Sequence, residues 1–249
     1  MRMMIKITEH CSMGCSHCMN RALPNGKHMD FNTFKKAIEF QRKHGALICL
    51  ISGGEPTEHP DFTSFIDYAL NTLKDTFFVV ATNGVWMQDN YDKVEHFSNL
   101  YGIRLTFQVT NDARYYPTKV DLTLPVLNQC GNVYSSDKIS HIYPQGRALD
   151  NGYSWKSKCS RCFNVRAIAH QVEHITLKEL IETLGLKVCT PHITINGSIK
   201  LGESDLCPVC SHIDKSEEEI MQDILSFRCQ GCNHVNNKLP EDYRKLIGE

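Results

Sequence analysis

The sequence predicts an α/β fold in which strands of a parallel sheet or barrel alternate with helices. Residues 47–51 and 77–81 are continuous apolar runs, as expected for parallel strands that are buried on both faces. Residues 61–73 repeat apolar side chains at the spacing of an amphipathic helix. Strand and helix alternate about every 25 to 30 residues, which indicates right-handed βαβ units.

The other elements continue this alternation along the first part of the chain. A helix is predicted to start at a cap, Asp30 or Asn32, and to end at Gly45. Between residues 111 and 137 the pattern predicts at most one short helix and one short strand. Further strands are predicted at 3–8, 103–109 and 138–142, a helix at 89–100, and a turn at 143–148.

The composition changes near Ser157, which divides the chain into a predicted domain of residues 1–156 and a small module of residues 157–249. Seven of the 12 cysteines lie in the second segment. Because cysteine pairs are dense in so short a segment, we expect an α+β module held together by metal.

Two helices and a hairpin are predicted in this module. One helix covers residues 177–184, and the other starts at Ser216, which can form a capping box with Glu219 and leads to about residue 225. Asn196-Gly197 lies in an alternating stretch and predicts the turn of a β-hairpin.

Bulk composition excludes several classes of protein. The chain is 41% apolar and 22% charged with a formal net charge of −1, so no overall field favours nucleic acid or anionic lipid. No apolar run reaches the ~20 residues of a membrane span. No secretory signal fits before Cys11, so we expect a cytoplasmic protein whose cysteines bind metal instead of forming disulfides.

The central motif is Cys11-x3-Cys15-x2-Cys18. Three thiols on one tight loop leave one iron of a [4Fe–4S] cluster without a protein ligand. This spacing resembles that of the radical S-adenosylmethionine (SAM) enzymes. Gly53-Gly54-Glu55-Pro56 is similar to the GGEP motif of the same family, in the correct order and about one βα unit later.

The resemblance implies a fold, a cofactor and a reaction. The fold would be a partial (β/α)6 TIM-like barrel supplied by the first ~150 residues. SAM would bind the open iron of the cluster, and one electron would cleave it to a 5′-deoxyadenosyl radical that abstracts hydrogen from a substrate. A reductant such as flavodoxin or ferredoxin would supply the electron. His17 occupies the position where the family usually has an aromatic residue near the adenine.

Further residues are candidates for binding SAM or substrate. Each follows a predicted strand or, for Arg147, lies in a P-x-G-R-A stretch that resembles one in some relatives. Arg147 could grip a carboxylate bidentately or form a structural ion pair. The candidates are Ser52, Gly53, Gly54, Glu55, Asn83 with Gly84, Gln108, Thr110, Asp112 and Arg147.

The cysteines after residue 157 resemble the SPASM/twitch modules, which carry auxiliary [4Fe–4S] clusters. The candidate ligands are Cys159, Cys162, Cys189, Cys207, Cys210, Cys229 and Cys232. Structural zinc is the alternative, because two C-x2-C pairs, at residues 207–210 and 229–232, have zinc-ribbon spacing. Cys49 lies in a buried strand and is expected to be a core residue. Cys130, outside every pair, is a candidate hydrogen donor.

Three functions remain open from the sequence. The first is a radical SAM enzyme acting on a peptide, since many SPASM-like relatives modify peptides, although no peptide-recognition domain is seen before Cys11. The second is a radical SAM enzyme acting on a small molecule, a nucleoside or a DNA base, as in phage-type base modification. The third is a non-catalytic zinc-binding module, which leaves the three-cysteine loop and the GGEP motif unexplained.

Overall fold

A computed structural model describes residues 2–45, 47–125, 132–139, 142, 146–153, 175–187, 191–202 and 207–227. Its strands form one eight-stranded sheet. In chain order they are β1 Arg2–Thr8, β2 Ile48–Gly53, β3 Phe77–Thr82, β4 Leu105–Thr110, β5 Val133–Ser136, β6 His192–Ile193, β7 Ser198–Lys200 and β8 Val209–His212.

The sheet is open and mostly parallel. Its order is β5-β4-β3-β2-β1-β6-β7-β8. From β5 to β6 in this order, each strand runs parallel to the next. Strand β7 runs antiparallel to both of its neighbours, β6 and β8. The α/β fold class predicted from the sequence is confirmed, as a sheet that does not close into a barrel.

The described helices are α1 Phe31–His44, α2 Phe62–Thr72, α3 Val85–Asp89, α4 Tyr91–Tyr101, α5 Gly146–Asp150, α6 Leu177–Lys187 and α7 Glu217–Ser226. Helices α1, α4, α6 and α7 contact strands of the sheet. Strand side chains alternate between a buried face and an open face. On β4, for example, Leu105, Phe107 and Val109 are fully buried, while Gln108 points to the open face and is exposed. The open face is therefore where a ligand can reach the strands.

Local chemistry explains the predicted helix ends. Asp30 caps α1 by accepting from the backbone N–H groups of Asn32 and Thr33, and Gly45 follows its last turn. Ser216 and Glu219 form the capping box of α7. Both sequence predictions are confirmed.

Three boundaries differ from the prediction. The helix expected at 89–100 is α4, which starts at Tyr91 because Asn90 leaves helical geometry and its side chain donates to the Trp86 carbonyl; the short helix α3 before it was not predicted. The short strand β5 lies within 111–137, where at most one short strand was predicted, and its Val133 pairs with Phe107. Of the strand expected at 138–142, residues 138 and 139 are not in a strand, and residues 140 and 141 lie outside the described residues. The backbone N–H of Ile139 instead donates to Asp112.

The turn expected at 143–148 is, from Gly146 onward, the short helix α5. Gly146 has a positive φ of 56°, and a Cβ there would meet the Met19 carbonyl at 2.4 Å. The glycine thus lets α5 approach the segment that follows the cysteines.

The hairpin predicted around Asn196-Gly197 is confirmed, but its place in the sheet was not predicted. Its first strand, β6, pairs in parallel with β1, and Ile193 lies opposite Ile5 in register. Helix α6 packs against α1 and β1. Among the described strands, the sixth parallel strand, β6, therefore comes from the C-terminal part of the chain. One sheet thus contains strands from both sides of the predicted boundary at residue 157. No helix in the described ranges is long and apolar enough to cross a membrane.

Candidate active site

The cysteine loop, residues 11–18, follows β1 directly at the carboxyl edge of the parallel strands. Cys11 and Cys15 are buried, and Cys18 is partly buried in the same small cluster of apolar side chains. The backbone N–H of Cys18 donates to the Cys15 carbonyl, and that of Cys11 donates to the Leu23 carbonyl. Gly14 has a positive φ of 64°, which lets the chain turn between the first two cysteines.

The three thiols lie close enough to influence one another. Burial, together with the neighbouring charges of Glu55, Glu58 and Cys18, raises the pKa of Cys11 to about 11. Burial raises the pKa of Cys15 to about 12, and the charges of Cys11 and Cys18 act in the same direction. Binding a metal therefore requires these thiols to release protons.

The three cysteines are suitable donors for an iron–sulfur cluster. A cubane cluster takes one thiolate per iron, and three cysteines leave one iron open. Within the described residues, no group of three or more His, Cys, Asp or Glu side chains is arranged to hold one metal ion.

The two glycines at the end of β2 allow the backbone to approach the cysteine loop closely. A Cβ on Gly53 would meet the Thr8 carbonyl oxygen at 2.2 Å, and one on Gly54 would meet that of His10 at 2.2 Å. The N–H of Gly54 donates to the Thr8 carbonyl and the N–H of Glu55 to the His10 carbonyl, each at 2.8 Å. The glycines thus fasten the GGEP segment to the segment that carries Cys11.

Glu55 is buried at the centre of the carboxyl edge. Its Oε1 accepts from the Thr57 hydroxyl at 2.7 Å and the Thr82 hydroxyl at 2.8 Å, and also from the Thr57 N–H. Its Oε2 accepts from the Asn83 N–H at 2.7 Å. Burial raises the pKa of Glu55, whereas these hydrogen bonds oppose the rise. A carboxylate oxygen has two lone pairs, so Oε2 retains one for a ligand donor.

Asn83 and Asn111 extend this network. Asn83 accepts from the Val85 N–H at 2.9 Å, and its own carbonyl accepts from the Asn111 amide at 3.2 Å. The Asn83 Nδ2 is buried and has no hydrogen-bond partner among the described residues. A buried amide donor at the end of β3 is suited to an acceptor on a ligand.

An aromatic group covers the cysteine loop. The ring of His17 packs on Tyr115 and Tyr116, with centroids 5.3 and 4.8 Å apart. Tyr116 contacts the apolar cluster around Cys11 and Cys15, and burial raises its pKa. Burial also lowers the pKa of His17. The His17 Nδ1 is buried and has no hydrogen-bond partner in the described part of the chain.

The sequence did not single out Tyr116 or Glu58. Tyr116 lies in a loop after β4, where no spacing rule points to the cysteines. Glu58 accepts from the N–H and the hydroxyl of Ser12. The sequence signal that could have pointed to Glu58 is a second carboxylate three residues after Glu55.

Arg147 binds the cysteine loop itself. Its guanidinium donates to the Cys15 carbonyl at 2.9 Å and to the Ala22 carbonyl. The neighbouring Ala148 N–H donates to the Cys18 carbonyl at 3.1 Å. Of the two roles left open by the sequence, the structure thus gives Arg147 a structural one, although its acceptors are carbonyls and not an acidic partner.

The remaining candidates on the strands lie around this edge. Ser52 lies opposite Lys6 on the open face, next to the two glycines. Gln108 and Thr110 follow the open face of β4 toward its carboxyl end. Asp112 binds Arg114 and orders the loop after β4.

Among the other cysteines, Cys49 is fully buried in the core, as predicted. Cys207 and Cys210 are thiols at the start of β8, and burial raises the pKa of Cys210 to about 12. The other cysteine predictions lie outside the described residues: Cys130, Cys159, Cys162, Cys189, Cys229 and Cys232.

Comparison with known proteins finds a matching family model. Residues 5–121, just under half of the chain, match the model of the Radical SAM superfamily. This segment is therefore similar to a radical SAM domain. The matched radical SAM segment contains the cysteine loop, the GGEP motif and Asn83. It also contains the rings of His17, Tyr115 and Tyr116, which pack over the loop. Reductive cleavage of SAM at a [4Fe–4S] cluster is the general reaction of this family.

Relatives of this radical SAM protein support the assignment. A stretch of 84 residues is 31% identical to the antilisterial bacteriocin subtilosin biosynthesis protein AlbA of Bacillus subtilis (strain 168). It covers 33% of this chain and 18% of AlbA, so the chain matches less than a fifth of that relative.

Solved radical SAM structures share the fold. BtrN in complex with AdoMet and 2-DOIA aligns over 91% of this chain and 82% of its own, with a TM-score of 0.61 and 17% identity. SuiB from Streptococcus suis, bound to the precursor peptide SuiA, aligns over 91% of this chain and 67% of its own, with a TM-score of 0.55 and 15% identity.

The residues of this chain fit the cofactors that the family implies. Three neighbouring thiols are the right donors for a cluster with one open iron. The buried Nδ2 of Asn83 and the remaining lone pair of Glu55 offer one donor and one acceptor beside them, as a zwitterionic ligand such as SAM requires.

Proposed function

We propose that this chain is a radical SAM enzyme that cleaves SAM reductively and uses the resulting radical to abstract hydrogen from a peptide. The observation that carries the proposal is the meeting of three buried or partly buried thiols with the Glu55–Asn83 network at one sheet edge. When bound by Cys11, Cys15 and Cys18, a [4Fe–4S] cluster would supply the electron that cleaves SAM to methionine and a 5′-deoxyadenosyl radical.

The protein's own residues would bind, orient and shield the reactants. Glu55 holds the Asn83 backbone, so that the buried Asn83 amide is aimed at a SAM acceptor. His17 and Tyr116 cover the cysteine loop and limit the access of water. Ser52, Gln108 and Thr110 line the open face, where we expect contacts with SAM ribose or with substrate.

The relatives support a peptide as substrate. AlbA is named for the biosynthesis of a bacteriocin, and SuiB has been solved with a precursor peptide. A cytoplasmic setting, with flavodoxin or ferredoxin as reductant, is part of the proposal. So is an auxiliary cluster in residues 157–249, with Cys207 and Cys210 among its ligands.

One anaerobic experiment tests the reaction and the metal content together. The reconstituted protein is incubated with SAM and dithionite, and 5′-deoxyadenosine is measured by mass spectrometry. We expect turnover in the native chain and none in Cys15→Ala, while Cys49→Ala keeps it because Cys49 lies in the core. Iron above about four atoms per chain supports the auxiliary cluster, whereas four irons with stoichiometric zinc would replace it with a structural zinc site.

The substrate class is tested with candidates encoded near the gene. Turnover that rises with a short precursor peptide, and gives a peptide whose mass has changed, supports the proposal. Turnover that rises only with a nucleoside or another small molecule would overturn the peptide assignment and leave the radical SAM chemistry intact. Absence of 5′-deoxyadenosine in an iron-loaded protein with every candidate would count against the whole proposal.

A further inference from the structure

Glu58 holds the cysteine loop from the side of β2. It ends the short 3-10 helix Pro56–Glu58, directly after the GGEP motif. Its carboxylate accepts from the Ser12 N–H at 2.8 Å and from the Ser12 hydroxyl at 2.6 Å. The His10 Nε2 lies 3.1 Å from the same carboxylate. One anionic group therefore contacts both residues that flank Cys11.

Arg147 holds the loop from the side of α5. Its guanidinium reaches the carbonyl of Cys15 and that of Ala22, at either end of the segment that contains Cys18. The Asn151 amide adds a hydrogen bond to the Ser16 carbonyl at 2.8 Å. One cationic group therefore contacts the second cysteine directly, and the residue that follows its helix binds the segment between the second and third.

These two groups place opposite charges on the two sides of the thiols. The carboxylate of Glu58 contacts the residues on both sides of Cys11, and the guanidinium of Arg147 contacts the backbone of Cys15. The electric fields of these two charges act on any electron added at this position. A nearby anion opposes reduction and a nearby cation favours it, most strongly where water is excluded.

We infer that Glu58 and Arg147 are positioning residues that set the reduction potential of the cluster in opposite directions. Glu58 lowers the potential and Arg147 raises it, while their hydrogen bonds fix the backbone on either side of the ligands. The inference rests on the proposed function only in requiring a cluster at Cys11, Cys15 and Cys18.

The test is a redox titration of the reconstituted protein, followed by electron paramagnetic resonance without SAM or substrate. The signal of this cluster is identified by its loss in Cys11→Ala. We expect the midpoint potential to shift to more positive values in Glu58→Gln and to more negative values in Arg147→Gln. The double variant should return toward the native value, and Arg147→Lys, which keeps the charge, should remain close to it.

Matched controls are available on the exposed face of α1, where Glu39 and Arg42 form an ion pair with each other. Glu39→Gln and Arg42→Gln remove the same charges away from the cysteine loop and should leave the potential unchanged. A shift counts when it alters the ratio of reduced to oxidised cluster at least twofold, which is about 18 mV for a one-electron couple at 59 mV per tenfold change.

Shifts of the same sign in both variants, or shifts no larger than those of the controls, would overturn the inference. If one of the two variants does not hold iron, the direction of the shift in midpoint potential of the other variant decides whether the inference stands. If both fail, Arg147→Lys must hold iron at the native potential, and loss of iron there too would show a purely structural role. A native protein that titrates but forms no 5′-deoxyadenosine would defeat the proposed function and leave this inference standing.

Discussion

The buried carboxylate of Glu55 joins three separate parts of the site. It accepts from Thr57 in its own segment and from Thr82 and Asn83 at the end of β3. Because it lies beside the cysteine loop, it fixes the end of β3 relative to Cys11. A single side chain thus determines where the Asn83 donor lies.

Glu55→Gln should lower the free energy of unfolding of the iron-free protein by about 1 to 3 kcal/mol, the cost of an unsatisfied buried group. The amide Nε2 would replace Oε2 opposite the Asn83 N–H, so that two donors face each other. Urea denaturation measures the change. Glu39→Gln, on an exposed surface, should change the free energy of unfolding by at most about 0.5 kcal/mol. Equal stability of the two variants would contradict the role assigned to Glu55.

Among the elements, the hairpin of β6 and β7 links the two ends of the described chain. Ile193 is 1% exposed and pairs with Ile5 in the middle of β1. On the opposite edge of the hairpin sheet, Val209 of β8 is 58% exposed. The hairpin therefore belongs to the central sheet and contributes to its core.

Ile193→Ala should destabilise the protein by about 2 to 5 kcal/mol, as expected when a large side chain is removed from a packed core. Val209→Ala is the control and should change the free energy of unfolding by less than about 0.5 kcal/mol. Thermal or urea unfolding of the full chain measures both. The hairpin would fold independently if unfolding showed two transitions and Ile193→Ala shifted only the one that does not involve the first five strands.

At the scale of the whole molecule, three half-buried or buried histidines connect stability to pH. Burial lowers the pKa of each from its ordinary value of 6.5, and the three are His17, His44 and His59. As the pH falls below 6.5, the unfolded chain takes up protons that the folded chain does not. The contribution of these histidines to the free energy of unfolding is complete above pH 6.5. It is lost as the pH falls through their pKa values in the folded protein.

The free energy of unfolding of the iron-free protein should therefore fall between pH 7.5 and pH 5.5, by up to about 1.4 kcal/mol per pH unit for each proton of difference. His44→Gln should reduce this dependence, because His44 is buried at the end of α1. Leu100→Gln, an exposed position without a titrating group, should leave it unchanged. A stability that rises toward pH 5.5 would contradict the direction assigned to these groups.

Local sequence determined much of this protein. The spacing of Cys11, Cys15 and Cys18 predicts a cluster loop because a tight loop must bring nearby thiols together. Capping at Asp30 and Ser216 and the apolar runs of β2 and β3 depend on residues within one turn or one strand of each other. Such short-range rules can be read without coordinates.

Tertiary structure alone decided which distant groups surround that loop. Glu58 lies 46 residues from Ser12, and Arg147 lies 132 residues from Cys15, so no local periodicity could pair them. The position of β6 beside β1 depends on how the sheet assembles, and its two residues carry too little pattern to predict it. The ligands are therefore a property of the sequence, whereas the charges and hydrogen bonds around them are a property of the fold.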